Sequence, residues 1–385
     1  MTTTREPAAN AWPLAVAVGA IALLMLGLQP LVLGELLESG RVTLEGVGVI
    51  AMAEIVGLGA GVLLGDLALP LARLRLMTML AAVCAAGLDL LTLQASGDLS
   101  FGLIRAAAGA GEGVLVWSTT SVLVRSSQPE RKAGLFFVIQ TIAQGVVGLL
   151  LARTIIPAHG WPGAFIALAA LSAAAAALAM RLPIGLKPLA AVAADGFNWS
   201  ARLAMPLVVS FLLMATLGSL WAYIEPLGKR AGYGSVAIQT LIAAGLGMQV
   251  VGGSLGSVLV RRLPVRGTLS ICALLLGLSA YGIGRAGPAD ALPFALLCAV
   301  FTFVWLFAAP FQMGLAFAAD PTGRVASLVP AAQLFGVAFG PLMASFVVDG
   351  EEAARVPLVS VAFAILTVLA LLKGHAGRRA QVPSA

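Results

Sequence analysis

The chain has 385 residues, 60% of them hydrophobic and 10% charged, with a formal net charge of +6. A mean hydropathy of +1.01 excludes a soluble globular protein of this size, because too little polar surface is left to face water. The basic surplus alone would suit a nucleic-acid binder, but the charges sit in short breaks between long apolar runs, so no nucleic acid is implied.

Those runs are about 20 residues long, the length that crosses ~30 Å of hydrocarbon. They predict twelve transmembrane helices, beginning near Pro13, Thr43, Leu76, Leu99, Ala133, Gly163, Leu203, Ser235, Thr268, Ala291, Val325 and Val356. The first run follows a polar, weakly charged start and reads as a retained helix rather than a cleaved signal. With both termini cytoplasmic, the inner loops carry most of the basic residues, among them Arg73, Arg75, Arg125, Arg131, Lys132, Arg181, Arg261, Arg262, Arg266 and Arg324. The outer side keeps Arg41, Arg153, Lys229, Arg230, Arg285 and Arg355. That asymmetry is the positive-inside rule. The expected location is the inner membrane of a bacterial cell.

Polar residues inside the spans are the candidates for function, because each is costly in lipid. Span one carries Gln29 next to Pro30, and span two carries Glu54 with no like-placed basic residue nearby, an uncompensated setting that suits proton coupling or a plain interhelical hydrogen bond equally. Span three holds Asp89 toward its outer end. Span four holds Arg105 and Glu112 in the run Arg105-Ala-Ala-Ala-Gly109-Ala-Gly111-Glu112-Gly113. A charged side chain at the centre of a membrane helix costs roughly 2.5–3.5 kcal/mol on insertion scales. These two lie close to two helical turns apart and project from nearly one face. The Ala and Gly between them allow another helix to approach closely. Span five adds Gln140 and Gln144, and span seven ends near Glu225-Pro226. Spans eight to eleven add Gln239, Gln249, Trp305, Gln312 and Gln333, with Pro310 and Pro341 as bending points.

An internal repeat organises these spans. Gly65 stands ten residues before Arg75 at the end of span two, and Gly256 ten before Arg266 at the end of span eight. Pro129 precedes Lys132 by three before span five, and Pro321 precedes Arg324 by three before span eleven. The offsets, 191 and 192 residues, are almost half the chain. The predicted organisation is therefore two parallel six-helix halves, 1–182 and 203–385, joined by a cytoplasmic loop over 183–202. Two such repeats around a midplane cavity are a transporter plan.

The chain resembles the major facilitator superfamily over nearly its whole length. Arg105, Gly109, Gly111 and Gly113 fit that family's Arg-x-x-x-Gly-x-Gly-x-Gly type of motif. Gln128-Pro-Glu-Arg-Lys-Ala-Gly134 is similar to its connection from helix four to five, and Gly160-Trp-Pro-Gly-Ala-Phe165 to its entry to helix six. Trp221-Ala-Tyr-Ile-Glu-Pro226 resembles helix seven of the drug and sugar efflux branches. The loop after span two departs from the pattern. Gly65-Asp66 is followed by Leu-Ala-Leu-Pro70, and the basic residues wait until Arg73 and Arg75.

Enzyme chemistry finds no set of residues. The only histidines are His159 and His375, one in an outer loop and one in the tail. Cys84, Cys272 and Cys298 are isolated within spans, which suggests neither a disulfide framework nor a metal site. The span-four glycines follow no strand and so make no nucleotide fingerprint. No cofactor and no ATP-binding module is expected, which leaves an ion or substrate gradient as the energy source.

The reading is an all-α membrane protein with the twelve-helix major facilitator fold. It is expected to act as a monomer in the lipid bilayer, moving a small organic solute by alternating access with protons as the coupling ion. Its substrate and proton pathway comprises Arg105, Glu112, Glu54, Asp89, Gln29, Gln144, Glu225, Trp305, Gln312 and Gln333. Asp66, Arg73, Arg75, Arg131 and Arg324 belong to gating loops. For Arg105 the structural alternative is an ion pair between helices, with Asp89 as a partner, and for Glu112 a closed pair with Arg105. For Glu225 it is an interfacial side chain reaching water, and for each Gln an interhelical hydrogen bond. Efflux is favoured by span seven. The alternatives are uptake of a small organic anion held directly by Arg105, and a receptor or scaffold that kept the fold without transport.

Overall fold

A computed structural model describes residues 8–126, 129–187, 200–321, 324–350 and 352–379. Among these residues the regular structure is entirely helical, apart from an isolated bridge between Asp349 and Glu352. Ten segments are long and apolar enough to cross a membrane. The expected spans one to four and seven to eleven are each represented. Spans five and six fall in one 45-residue segment, Leu135–Ala179, and span twelve coincides with a shorter apolar helix, Val356–Leu372. A straight helix of 45 residues would measure about 67 Å, roughly twice the hydrocarbon thickness. This one is interrupted at Gly160, whose φ of 61° takes the chain out of helical geometry. Ten spans rather than twelve are thus delineated among the described residues, because no break divides Leu135–Ala179 and Val356–Leu372 falls short of the spanning length.

The chain divides into two compact units, one comprising residues 1–46 and 53–193 and the other 47–52 and 194–385. The first contains α1 (Ala8–Ala22), α2 (Leu24–Glu38), most of α3 (Leu44–Ala68), α4 (Leu74–Leu91), α5 (Gly97–Leu123), α6 (Pro129–Leu150) and α7 (Ile156–Ala179). A five-residue π-helix, Leu151–Ile155, joins α6 to α7. Helices α1 and α2 are one run bent at Leu23, whose φ/ψ of −99°/9° are not helical. The amide of Gln144 on α6 donates to the Leu23 carbonyl at 2.6 Å, satisfying a group near the bend.

Packing in this unit follows residue size. Helix α4 lies on α7 and α5, and α1 on α5 and α6. In lipid no hydrophobic force drives helices together, so close contact depends on small residues. Helices α3 and α5 show this reciprocally: a Cβ added at Gly57 or Gly61 would overlap the carbonyls of Ala106 and Ala110, and one at Gly109 or Gly113 those of Glu54 and Leu58. At the start of both helices, Asp98 accepts from the backbone N–H and hydroxyl of Thr43 at 2.8 and 2.5 Å. Thr43 in turn caps α3 by accepting from the Gly46 N–H at 3.0 Å.

The second unit contains α8 (Ala201–Trp221), α9 (Ile224–Arg230), α10 (Ser235–Leu259), α11 (Val265–Arg285), α12 (Ala291–Phe307), α13 (Ala309–Ala319), α14 (Arg324–Ser345) and α15 (Val356–Arg379). Helix α8 packs on α14 and α15, α10 on α12, and α11 on α15. Glycines again set the closest approaches. Gly252 and Gly256 of α10 abut the carbonyls of Phe303 and Phe307, and Gly336 and Gly340 of α14 abut those of Phe211 and Ala215. Pro310, at the first turn of α13, follows the bend at Ala308 between α12 and α13. Large apolar side chains such as Leu67, Leu99, Leu292 and Phe346 point outward, as a surface bathed in lipid requires.

Of the loop expected over 183–202, residues 188–199 lie outside the described residues. Its beginning is tied to the first unit. Arg75 Nε donates to the Leu182 carbonyl at 2.6 Å, the Leu186 N–H to the Leu71 carbonyl at 2.9 Å, and Arg125 Nε to the Lys187 carbonyl at 2.8 Å.

Candidate functional site: a buried cation among three carboxylates

Arg105 projects from α5 into the interior of the first unit and is completely buried. The glycines and alanines around it let α3 come close enough to present Glu54. The guanidinium Nε donates to Glu54 Oε1 at 2.9 Å, and Nη2 contacts the same oxygen. Nη1 donates to Asp89 Oδ1 of α4 at 2.6 Å. Nη2 also reaches Glu112 Oε1, two turns along α5, at 3.3 Å. Phe165 of α7 lies under the cation, with its ring centroid 5.5 Å from Cζ.

A second layer holds the carboxylates. Gln29 of α2 donates its amide to Glu54 Oε2 at 3.3 Å, and Ser172 of α7 donates its hydroxyl to Asp89 Oδ2 at 3.2 Å. Five helices, α2, α3, α4, α5 and α7, thus meet at one charge cluster. Glu54 and Asp89 are each 2% exposed and Glu112 7%, so Glu112 has the least complete cover. A cavity of about 10 Å³ borders Asp89, Glu112 and Ser172, close to the minimum that admits one water.

The chemistry follows from the charge count. One guanidinium faces three carboxyl groups, so full ionisation would leave two uncompensated negative charges in a nearly dry interior. Each unpaired buried charge is expensive. A proton on one of the carboxyl groups would remove one of those charges. Each guanidinium nitrogen faces a carboxylate oxygen.

The other expected pathway residues are placed differently. Glu54 is not uncompensated as expected, because Arg105 reaches it from α5. Gln144 is not in the cluster; it serves the bend at Leu23. Glu225 is fully buried in the first turn of α9, with Lys229 Nζ at 3.1 Å, so it does not reach out to water as an interfacial side chain would. Trp305 packs edge-on against Trp221 with centroids 5.4 Å apart. Gln333 of α14 donates its amide to Gln312 Oε1 of α13 at 2.9 Å.

Among the gating residues, Asp66 and Arg73 are exposed, and Arg75 holds the start of the central loop. The side chains of Arg131 and Arg324 lie outside the described residues. The structure adds three residues that sequence reasoning did not single out: Phe165 and Ser172 in the cluster, and Arg125, which faces Asp66 and grips Lys187. Burial pushes the Arg125 guanidinium down, with the Asp66 charge opposing. A partly buried arginine just past a helix end carries no sequence signal of such a role.

No protein-family model matches the sequence, and no curated protein matches it. Solved structures do match. A mutant form of the nucleoside transporter NupG aligns with a TM-score of 0.72 at 14% identity, over 95% of this chain and 100% of that one. The chain shares the fold of that structure. Another NupG crystal structure gives 0.69 at 14% identity, over 95% and 98%. A bacterial homologue of the human lysosomal transporter Spinster, inward-facing and unoccupied, gives 0.66 at 13%, over 97% and 96%.

Proposed function

We propose that this protein is a secondary transporter of the major facilitator superfamily, with twelve membrane crossings and both termini cytoplasmic. It moves a small organic solute by alternating access and couples that movement to protons. The observation that carries the proposal is the convergence of Glu54, Asp89 and Glu112 on Arg105. Glu112 is the proton carrier. It makes the longest contact to Arg105, is the least covered of the three carboxylates, and borders the small cavity. Protonation releases Arg105 from Glu112 toward Glu54 and Asp89, and deprotonation draws it back. The favoured direction is efflux, with the inner membrane of a bacterial cell as the site of action and the monomer as the working unit.

The engagement of Arg105 weighs against uptake of an organic anion held directly by that residue. Every donor nitrogen already faces a carboxylate, and no part of the side chain is exposed.

The test is substrate-linked proton flux in proteoliposomes under an imposed pH gradient, across neutral, cationic and anionic solutes. Flux with at least one solute, abolished by Glu112→Gln, is the expected result. Transport of a solute with no accompanying proton movement would overturn the coupling. No transport of any solute, with specific ligand binding retained, would favour the receptor reading.

A further inference from the structure

Helices α5 and α7 carry matched rows of side chains. Phe101, Arg105 and Glu112 on α5, and Trp161, Phe165 and Ser172 on α7, follow the same spacing of four and then seven residues. That spacing keeps each row on one face of its helix. Each step of one row meets the same step of the other. Phe101 and Trp161 stand edge to face with ring centroids 6.1 Å apart, and Arg105 Cζ lies 5.5 Å from the Phe165 centroid. Glu112 and Ser172 border the small cavity. The surroundings of Arg105 are thus aromatic on one side and polar on the other.

The aromatic side continues to the surface. Trp161 packs edge-on against Phe165 with centroids 6.2 Å apart, and Cζ of Arg41 lies 5.3 Å from the Trp161 ring centroid. Cation, indole, phenyl ring and cation form one column, running from an exposed arginine to a buried one. Phe101 and Phe165 have no exposed surface and Trp161 has 7%, so the indole is the outermost closed layer on this side. Its turn is built to move. Gly160 breaks helical geometry just before it, and Pro162 just after it has no N–H to give to the helix. The backbone of Arg41 is fixed by contrast. The N–H groups of Gly40 and Arg41 donate to the Leu37 and Leu36 carbonyls, each at 3.0 Å, and Gly40 has a φ of 66°, the Schellman arrangement that closes α2. A cation over an indole at the surface is a weak contact, which suits one that must open and reclose.

We propose that Trp161 is the seal that shuts the Arg105 cluster off from the Arg41 end of the unit, and that Arg41 is the latch that holds it. With the latch closed, water and protons reach the carboxyl groups only from the cavity side, past Glu112 and Ser172. Movement of the indole on the Gly160 turn opens the other side. This rests on the proton-coupling reading and names the residues that decide from which side the cluster is protonated. On the proposed topology the sealed side is the outer one.

Carboxyl labelling of the full-length protein in lipid nanodiscs tests it, with a water-soluble carbodiimide and glycine ethyl ester, read residue by residue by peptide mass spectrometry. Asp349 and Glu352, both exposed, set the reference rate, and Glu225, buried in the second unit, should stay protected throughout. Trp161→Ala should label Glu54 and Asp89 about tenfold faster than the unaltered protein, and Arg41→Ala by a smaller factor. Arg41→Lys, which keeps a cation over the ring, should restore most of the protection. Where Trp161→Ala fails to fold, Trp161→Leu fills the space without offering the cation a ring. Unchanged labelling in the Trp161 variant overturns the seal, and unchanged labelling in Arg41→Ala overturns the latch. A matching rise at Glu225 would mean general loosening and would also overturn the inference. Proton flux with unchanged labelling sinks this inference alone. Faster labelling with no proton flux sinks the coupling proposal alone.

Discussion

Arg105 and Glu54 are 51 residues apart in the chain, yet two guanidinium nitrogens meet one oxygen of that carboxylate. This is the tightest joint in the cluster, and it links α5 to α3. Removing the cation leaves three carboxyl groups facing one another. Arg105→Met should therefore lower stability by about 3–5 kcal/mol, the range for breaking a buried pair. Arg105→Lys keeps the charge but loses the fork and should cost less. Thermal unfolding of the purified variants in one detergent gives the order, and equal losses for the two would show that charge is not what matters there.

Glu112→Gln should behave differently. Its contact with Arg105 is long at 3.3 Å, and a neutral amide can still accept from Nη2. The fold should survive with a small loss of stability, while the dependence of transport on an imposed pH gradient disappears. Counterflow exchange, which needs no net proton movement, should persist in this variant. Unchanged pH dependence would leave Glu112 as a structural member of the cluster.

Helix packing predicts a third outcome. A side chain at Gly113 would run into the Leu58 carbonyl, which belongs to backbone and cannot swing aside. Gly113→Leu should cost at least about 1–3 kcal/mol through overpacking. The same change at Gly102, where an added Cβ meets nothing within 4 Å, should be mild. Yields of monodisperse protein and unfolding temperatures separate the two positions.

The ties on the central loop predict a local effect. Arg75→Ala and Arg125→Ala each remove donors to carbonyls of the 182–187 segment. The amide of Leu186, which donates to Leu71, should exchange about tenfold faster in the double variant, with the helices around Arg105 unaffected. Hydrogen-exchange mass spectrometry reads this directly. Unchanged exchange at 182–187 would mean that the backbone contacts hold the segment without the arginines.

Much of the architecture was legible in the sequence because membrane helices announce themselves by length and hydropathy. Arg105 and Glu112 were legible too, since a charge in lipid needs a reason wherever it falls. What joins them was not. Nothing in the 25 residues of α3 says that Glu54 faces α5, because the approach depends on which glycines of two separate helices come into register. Glu225 was misread for a related reason. Its place near the end of an apolar run suggested water, but the turn at Tyr223 starts a short new helix, α9, and encloses the carboxylate. The continuous passage from α6 through the π-helix into α7 also escaped, since the wider turn leaves no mark in composition.

Gly109 touches the cluster without contributing a polar atom to it. The group that a side chain there would strike is the carbonyl of Glu54, the same residue whose carboxylate grips Arg105. The glycine acts as a gauge block, setting the height from which the carboxylate reaches across. A single added methyl at 109 would lift that rung of α3 and detune the cluster, although every charge stayed in place.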